Sequence, residues 1–477
     1  MRKTIQRLVL VIGAGLAVAV TPYAAEAQDA RLYHGATMID PAEERIIEDA
    51  WVLVEDGRIA RLGAGSPPAV SAIYRDMSGR FLLPGFFDAH GHIVAGPHAV
   101  EAGETGPVIT MESVDEVTRF HARIALAFGV TTLRNPGGDP LAAAAYDGRI
   151  ASGEWAGPEA LHAGAVMQPA PFGGAAFRHP QGEAEWVAEA AREAELGMTY
   201  FKLYHGLSED ELALGAAAAR AHGLIPIAHL DHVSWTRAAE LGVQGLLHAL
   251  PTSPDLLEPQ ARSAYLAEMT PDSRFFYRWF EYADFDGPLI QDMFASLAGK
   301  GVSVDMTLLV NALTYHPDPI AEFYPAEERR YYHPAALEVA LRFQALGAAA
   351  WSEEDYVRAQ AVLPKVLEFA RRLHAAGVPL LVGTDSAGGG PLYAEELALH
   401  VEAGFTPWQV LRLATSDAAE IMGMSTRTGR LAEGMEADLV FLTANPLDDI
   451  LAVRSVDTVL SNGREFSHAH LARPLGQ

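Results

Sequence analysis

Residues of metal-binding types stand on or just after several short apolar runs in this chain. The runs are FLLPGFFDAH, TYFKLY, LIPIAHL, GLLHAL and PLLVGTDS. With the histidine two positions after the first run, the residues they supply are His90, His92, Lys202, His229, His248 and Asp385. Imidazole and carboxylate favour a borderline divalent ion, so we expect zinc, although ligand type alone leaves manganese, iron, cobalt and nickel open.

The apolar runs have the length of β-strands, and helix-like segments separate them, which is the order expected of repeated strand-helix units. The two imidazoles of His90-Gly91-His92 leave the same face of an extended segment because strand side chains alternate, so both can bind one ion. An eight-stranded parallel barrel places the C-terminal ends of all its strands around one mouth. We therefore expect an α/β fold, a (β/α)8 TIM-like barrel, with the six residues around one metal centre.

The ordered motifs resemble the amidohydrolase superfamily, and within it the binuclear, imidazolonepropionase-like and Xaa-Pro-dipeptidase-like branch. The matching stretches are LLPGFFDAHGH at 82–92, FGVTTLRNPGG at 128–138, FKLY at 201–204, IAHL at 227–230, LLHAL at 246–250 and VGTDS at 382–386. The resemblance implies that the two ends of the chain, which have the pattern of short strands and turns, pair into a small discontinuous β-sandwich beside the barrel.

The resemblance also implies a role for each ligand. His90, His92 and Asp385 would hold the more buried of two divalent ions, and His229 and His248 the more exposed one. Lys202 would bridge both. Because an ammonium group has no acceptor lone pair, Lys202 can bind a cation only after carboxylation to a carbamate; an ordinary lysine at a strand end is the alternative.

The chemistry expected of two such ions is hydrolysis. A water shared between them would have a pKa of about 7 and would supply hydroxide as the nucleophile. Asp385 would take its proton and return it to the leaving group, acting as base and then acid. Tyr204 points the same way as Lys202 along a strand, so its hydroxyl is a candidate for stabilising the oxyanion.

Three further histidines follow the ligand strands and are candidates to contact the substrate. They are His98, His205 and His232. Each is equally typical of a solvated loop. Two long loops, 251–296 and 314–363, are rich in aromatic residues, which favours packing against the barrel rim, with a pocket wall or an oligomer contact as the alternatives.

The expected organisation is a signal peptide at 1–27, a metal-binding barrel at 84–428, and a β-sandwich whose N-terminal segment is 28–83 and whose C-terminal segment is 429–470. Three helices are expected to begin with capping boxes, at Ser113, Ser208 and Thr406, because each is followed three positions later by Glu or Gln. The sequence alone does not determine the oligomeric state; a homo-oligomer is the candidate that the resemblance implies, because members of the superfamily often assemble.

The leader has a basic start, an apolar run from Leu8 to Val20 and a small-x-small site that ends at Ala27, which is typical of bacterial export. We expect cleavage near Ala27, a periplasmic or secreted protein and no stable membrane anchor afterwards; a retained anchor is the alternative. The absence of cysteine excludes disulfides and thiolate ligands. The net charge of −26 would repel a polyanion, so nucleic acid is not an expected partner.

These features together predict an exported metal-dependent amidohydrolase that cleaves an amide C–N bond of a small substrate, such as an Xaa-Pro dipeptide or an N-acyl amino acid. A mononuclear cyclic-amide hydrolase or deaminase is one alternative. A non-catalytic ligand-binding barrel is the other, although such a protein would be expected to lose at least one of the six ligands, and all six are present.

Overall fold

The computed structural model describes residues 30–103, 106–169, 172–270 and 273–474. The predicted signal peptide at 1–27, with its cleavage site near Ala27, lies outside the described residues. None of the helices in the described residues is both long and apolar enough to cross a membrane.

The strands fall into two main sheets and one hairpin. In chain order they are β1 (Arg31–Asp40), β2 (Arg45–Glu55), β3 (Arg58–Ala64), β4 (Ile73–Asp76), β5 (Phe81–Pro84), β6 (Phe86–Asp88), β7 (His98–Gly103), β8 (Gly106–Met111), β9 (Val130–Asn135), β10 (Glu159–Met167), β11 (Phe177–Arg178), β12 (Tyr200–Leu203), β13 (Ile225–Ala228), β14 (Gly245–Leu247), β15 (Ser303–Asp305), β16 (Leu380–Leu381), β17 (Leu439–Leu442), β18 (Val456–Ser461) and β19 (Arg464–Ser467).

In chain order, helices α1 to α15 lie between β8 and β17, and α16 follows β19. They are α1 (Asp115–Ala127), α2 (Pro140–Ala151), α3 (Gly182–Glu195), α4 (Glu209–Ala221), α5 (Trp235–Leu241), α6 (Pro259–Glu268), α7 (Phe275–Tyr282), α8 (Pro288–Lys300), α9 (Leu308–Tyr315), α10 (Pro319–Phe323), α11 (Pro334–Ala350), α12 (Glu353–Ala375), α13 (Leu392–Glu402), α14 (Pro407–Leu413), α15 (Ser416–Ile421) and α16 (His468–Leu471).

The central element is a curled parallel sheet with the strand order β6-β9-β10-β12-β13-β14-β15-β16. Each strand in this order pairs in parallel with the next. Just beyond the strands at the two ends of this order, the Ala89 amide donates to the Val382 carbonyl at 2.9 Å, and the Asp385 amide donates to the His90 carbonyl at 2.7 Å. The α/β class and the parallel sheet predicted from the sequence are therefore confirmed.

The other main sheet joins the two ends of the chain, in the order β19-β18-β17-β5-β1-β2-β3 with β4 beside β1. The joining pair is β5 with β17, which run antiparallel. Its buried side chains, such as Tyr33, Val52 and Phe441, form a separate apolar cluster. This order describes one sheet, so the sandwich form and the domain boundaries stay predictions.

The apolar run FLLPGFFDAH divides at Gly85 into two strands that belong to different sheets. A side chain at Gly85 would meet Thr131 of β9 at 2.1 Å, which is far inside van der Waals contact. The Gly85 amide donates to the Asp438 carbonyl at 2.8 Å, on the side of the small sheet. A residue without a Cβ is therefore required where β5 passes into β6, the strand that leads to His90.

Two of the three predicted capping boxes are confirmed. In α4, Ser208 and Glu211 cap each other's backbone, and Thr406 and Gln409 do the same in α14. The box at Ser113 is wrong, because the Ser113 hydroxyl donates to the Val94 carbonyl at 2.7 Å and α1 begins after Val114 without a side-chain cap. The Ser113 hydroxyl thus links the segment after β6 to the residues just before α1.

The aromatic residues of the two long loops pack against each other and against α12. Tyr277 of α7 contacts Trp351 with ring centroids 5.3 Å apart, and Phe280 contacts Phe369 of α12 at 6.0 Å. Tyr277 and Phe280 are fully buried. The packing interpretation of these aromatic runs is therefore confirmed for these residues.

Candidate metal centre

Three ligand atoms meet where β6 and β16 end. His90 Nε2 lies 3.2 Å from Asp385 Oδ1, and His92 Nε2 lies 3.1 Å from the same oxygen. One ligand atom from each of the three residues falls within 4.8 Å of the others. We call His90, His92 and Asp385 the inner cluster.

The other ring nitrogen of each inner histidine is engaged, which fixes the nitrogen left for a metal. His90 Nδ1 lies 2.7 Å from Asp305 Oδ2, and His92 Nδ1 lies 3.0 Å from the Gly137 carbonyl. A carbonyl oxygen and a carboxylate only accept, so both Nδ1 atoms carry a proton, and in the neutral ring Nε2 is the nitrogen that presents a lone pair. A second hydrogen bond of this kind is the usual support of a metal-bound histidine.

Two further histidines, which we call the outer pair, lie beside the inner cluster. His229 follows β13 and His248 follows β14, with ring centroids 4.4 Å apart. The ring of His248 is 4.8 Å from that of His90, and its Nδ1 lies 2.8 Å from the Thr307 hydroxyl. Burial lowers the pKa of His248 to about 3 and that of His229 well below its usual value, which keeps both imidazoles in the neutral form that binds metals.

Lys202 of β12 is buried among these groups, with 1% of its surface exposed. Burial lowers the pKa of its amine to about 7, although the charge of Asp385 opposes the shift. Its Nζ lies 5.3 Å from the centre of the Tyr204 ring. An amine with this pKa is neutral in a substantial fraction of molecules near neutral pH, which is the form that reacts with carbon dioxide.

Asp305 and Arg134 support the inner cluster from below and were not predicted as site residues. Asp305, at the end of β15, accepts from His90 and from Arg134 Nη2 at 2.8 Å, and both side chains are 2% exposed or less. Arg134 Nε also donates to the Ala89 carbonyl at 2.7 Å. Burial opposes the charged form of His90, but the carboxylates of Asp305 and Asp385 outweigh it and raise the pKa of His90. The sequence signal for Asp305 is the short run VSVD after α8, whose polar last residue ends a strand of the repeat.

Several site residues hold strained backbone conformations. His248, Thr307 and Asp385 have φ angles of 67°, 39° and 51°, in the left-handed region that residues other than glycine seldom enter. Such strain persists where the surrounding contacts fix the backbone, and it is concentrated at functional sites. Here each strained residue is a candidate ligand or contacts one.

The remaining predicted residues lie at different distances from the ligands. Tyr204 packs against His229 with ring centroids 4.9 Å apart, and His205 lies 6.1 Å from His229. The side chain of His232 is 63% exposed and lies 3.4 Å from Asp231 rather than against a ligand. His98 is the first residue of β7, opposite Met111 in the β7-β8 hairpin.

The residues present fit a metal centre. His90 Nε2 and His229 Nδ1 are buried nitrogens without a hydrogen-bond partner, and each can donate a lone pair. The donors are imidazoles and a carboxylate, the set that zinc and similar divalent ions prefer. Asp385 stays anionic there, because His90 and His248 outweigh its burial and hold its pKa well below the usual value.

Comparison with known proteins places this site in a family. The amidohydrolase family model matches residues 81–466, and the chain belongs to that family. Imidazolonepropionase of Streptomyces griseus subsp. griseus is 26% identical over 414 residues, 84% of this chain and 87% of that protein. Ochratoxinase of Aspergillus niger is 36% identical over 145 residues, so the chain matches only 30% of that protein's length.

A solved structure also has the same fold. A crystal structure of a Xaa-Pro dipeptidase with bound methionine in the active site aligns with 92% of this chain and 100% of its own, with a TM-score of 0.65 and 18% identity. At this level of identity the similarity concerns the fold. The predicted membership of the amidohydrolase superfamily is confirmed.

Proposed function

We propose that this protein is a metal-dependent amidohydrolase with a TIM-type barrel that uses two divalent ions, zinc in the first instance, to cleave an amide C–N bond. The observation that carries the proposal is the inner cluster, in which both histidines have their Nδ1 atoms engaged and direct Nε2 at one carboxylate oxygen. Without a cation the two Nε2 atoms can face this oxygen only as protonated donors, whereas a divalent ion would accept a lone pair from each of the three atoms.

In this proposal His90, His92 and Asp385 hold one ion, and His229 and His248 hold the other. When bound, two such ions polarise the scissile carbonyl and lower the pKa of a shared water to about 7. Asp385 accepts the proton of the attacking water on its free oxygen and returns it to the leaving nitrogen. The support for this role is that Asp385 stays ionised despite its burial.

Lys202 is proposed to be carboxylated and to bridge the two metal subsites. Lys202 lies on β12, beside β13 of the outer pair, in the sheet whose first and last strands lead to the inner cluster. This position supports the role, since the strand ends of a parallel barrel meet at one mouth. Tyr204 is proposed to donate a hydrogen bond from its hydroxyl to the oxyanion. Its ring lies against His229, beside the subsite that would hold the carbonyl.

The substrate class proposed is a small amide with an apolar or aromatic group, such as an N-acyl amino acid or a dipeptide. Phe172, Tyr204 and His205 form an aromatic wall next to His229. Ring centroids are 6.2 Å apart for Phe172 and His205 and 4.5 Å for Tyr204 and His205. An aromatic wall gains free energy mainly from apolar and aromatic groups.

The test is a hydrolysis screen of metal-loaded protein with N-acyl-phenylalanine, N-acyl-glycine and Xaa-Pro dipeptides. We expect cleavage, with the phenylalanine compounds preferred, and we expect Phe172→Ala to raise KM for them more than for the glycine compounds. The Asp385→Asn variant is the control for contaminating activity. Absence of cleavage of every amide by the zinc-, manganese- and cobalt-loaded protein would contradict the proposal.

From the leader we also propose export to the periplasm or the medium and removal of residues up to about Ala27. We further propose that the protein is a homo-oligomer, as the resemblance implies. The N-terminal residue of the protein recovered from the producing cell tests the first proposal, and its mass in solution tests the second.

A further inference from the structure

We propose that Glu396, a buried acid on α13, is a positioning residue that orients the metal ligand His248 through the first turn of α9. The inference rests on the proposed function, because it takes His248 to be a ligand of the outer ion. It adds a residue far from His248 in sequence that controls the outer metal subsite and does not affect the inner one.

Glu396 contacts α9 directly. Its side chain is 0% exposed, and its two carboxylate oxygens accept from the backbone amides of Leu308 at 3.1 Å and Leu309 at 2.7 Å. These are amides of the first turn, which have no partner within the helix. Burial raises the pKa of Glu396 well above its usual value, and the two amides oppose that shift. The helix dipole also favours the carboxylate at this position. Glu396 therefore determines where α9 begins and how its first turn is held.

Thr307, the residue immediately before α9, links this turn to the site. Its backbone has φ 39° and ψ 51°, a left-handed conformation that β-branched residues rarely adopt and that persists only where the surrounding structure fixes it. Thr307 has no side-chain bond to its own helix. Its hydroxyl instead lies 2.8 Å from His248 Nδ1. The two hydrogen bonds that Glu396 accepts from the amides of Leu308 and Leu309 hold Thr307 in this conformation.

The contact with Thr307 leaves Nε2 of His248 open to a metal, and the Thr307 hydroxyl accepts from Nδ1–H when Nε2 is the ligand atom. With Nδ1 held by Thr307, the ring presents Nε2 as its ligand atom, as His90 and His92 do. His90 receives its support directly from Asp305, whereas His248 receives it from Thr307, which Glu396 holds in place. The two metal subsites thus have separate supports. Loss of Glu396 should loosen the outer ion and leave the inner ion in place.

The experiment is a titration of the metal-free protein with zinc and with cobalt(II), which gives the number of ions, their dissociation constants and the visible cobalt spectrum. The variants are Glu396→Gln, which can accept from only one of the two amides, Thr307→Val, which removes the hydroxyl, and Thr307→Ser, which keeps it. Glu193→Gln is the matched control, since Glu193 is also 0% exposed and accepts from one backbone amide, that of Ala165 at 2.6 Å.

We expect Glu396→Gln and Thr307→Val to weaken the second ion by about 10–100-fold, the usual effect of removing a support of a metal-bound histidine. The first ion should bind as in wild type, and Thr307→Ser and Glu193→Gln should bind both ions normally. Equal affinities for both ions in all variants, or equal weakening by Glu193→Gln, would overturn the inference while leaving the two-ion proposal intact. If wild type itself binds fewer than two ions, the proposed function fails and the inference falls with it.

Discussion

Arg134 and Asp305 form a buried ion pair beside the candidate metal centre, and its loss should destabilise the protein by an amount that its burial sets. Arg134 Nη2 and Asp305 Oδ2 are 2.8 Å apart, and the side chains are 2% and 0% exposed. Asp305→Asn removes the negative charge and leaves the guanidinium of Arg134 buried and uncompensated. Breaking a buried pair in this way costs about 3–5 kcal/mol of the free energy of unfolding.

Adding Arg134→Met to Asp305→Asn should restore part of the free energy of unfolding. Arg134→Met removes the stranded charge, so the double variant should be more stable than Asp305→Asn alone. The rescue is incomplete because the Ala89 carbonyl loses the bond from Arg134 Nε, which costs about 1–3 kcal/mol for a buried group. The expected coupling between the two substitutions is about 1–3 kcal/mol, as for groups in direct contact.

The assay is urea unfolding of chelator-treated protein, followed by far-ultraviolet circular dichroism. Removal of metal is essential, because an ion that binds only the folded chain would add its own binding free energy. Wild type, both single variants and the double variant complete the cycle. If the double variant is as unstable as the sum of the two single variants, to within about 0.5 kcal/mol, Arg134 and Asp305 do not act as a pair.

Three further predictions concern the site and the buried acids. Asp385→Asn should abolish amide hydrolysis but keep the wild-type circular dichroism spectrum; full turnover would remove Asp385 as the base. Lys202→Ala should lose activity and regain part of it with added acetate or formate, whereas full activity without rescue would refute the bridge. Burial raises the pKa of Glu193 from 4.5 to about 8, so the folded chain keeps a proton that the unfolded chain releases. The contribution of Glu193 to stability should therefore fall as pH rises from about 4.5 to 8, by up to about 1.4 kcal/mol per pH unit. Glu193→Gln should reduce the slope by that amount, while Asp88 and Asp438, whose burial raises their pKa values to about 7 and about 6, keep contributing.

The ligands could be predicted from the sequence because each stands at the end of a local apolar run. The chain folds each run into a strand by local pattern, and the parallel order then brings the strand ends together. His229 and His248 illustrate this, since each directly follows the last residue of its strand. Strand assignment placed these two histidines near each other, and their predicted role as ligands came from the family resemblance.

The supports of the ligands could not be predicted in the same way. Asp305 and Thr307 act through contacts with residues 215 and 59 positions away, and no periodicity marks such a contact. At Ser113 the local pattern predicted a capping box, but the Ser113 hydroxyl donates to the Val94 carbonyl instead of capping α1. Long-range hydrogen bonds therefore decide what the local pattern leaves open.

The central claim is that one centre holds two ions, with the outer pair holding the second. The most direct test is the amount of metal per chain, measured by elemental analysis after reconstitution with zinc and removal of loosely bound ions. We predict about two ions in wild type, as in other two-metal sites, and about one in His229→Ala. One ion in both proteins, or none in either, would contradict it.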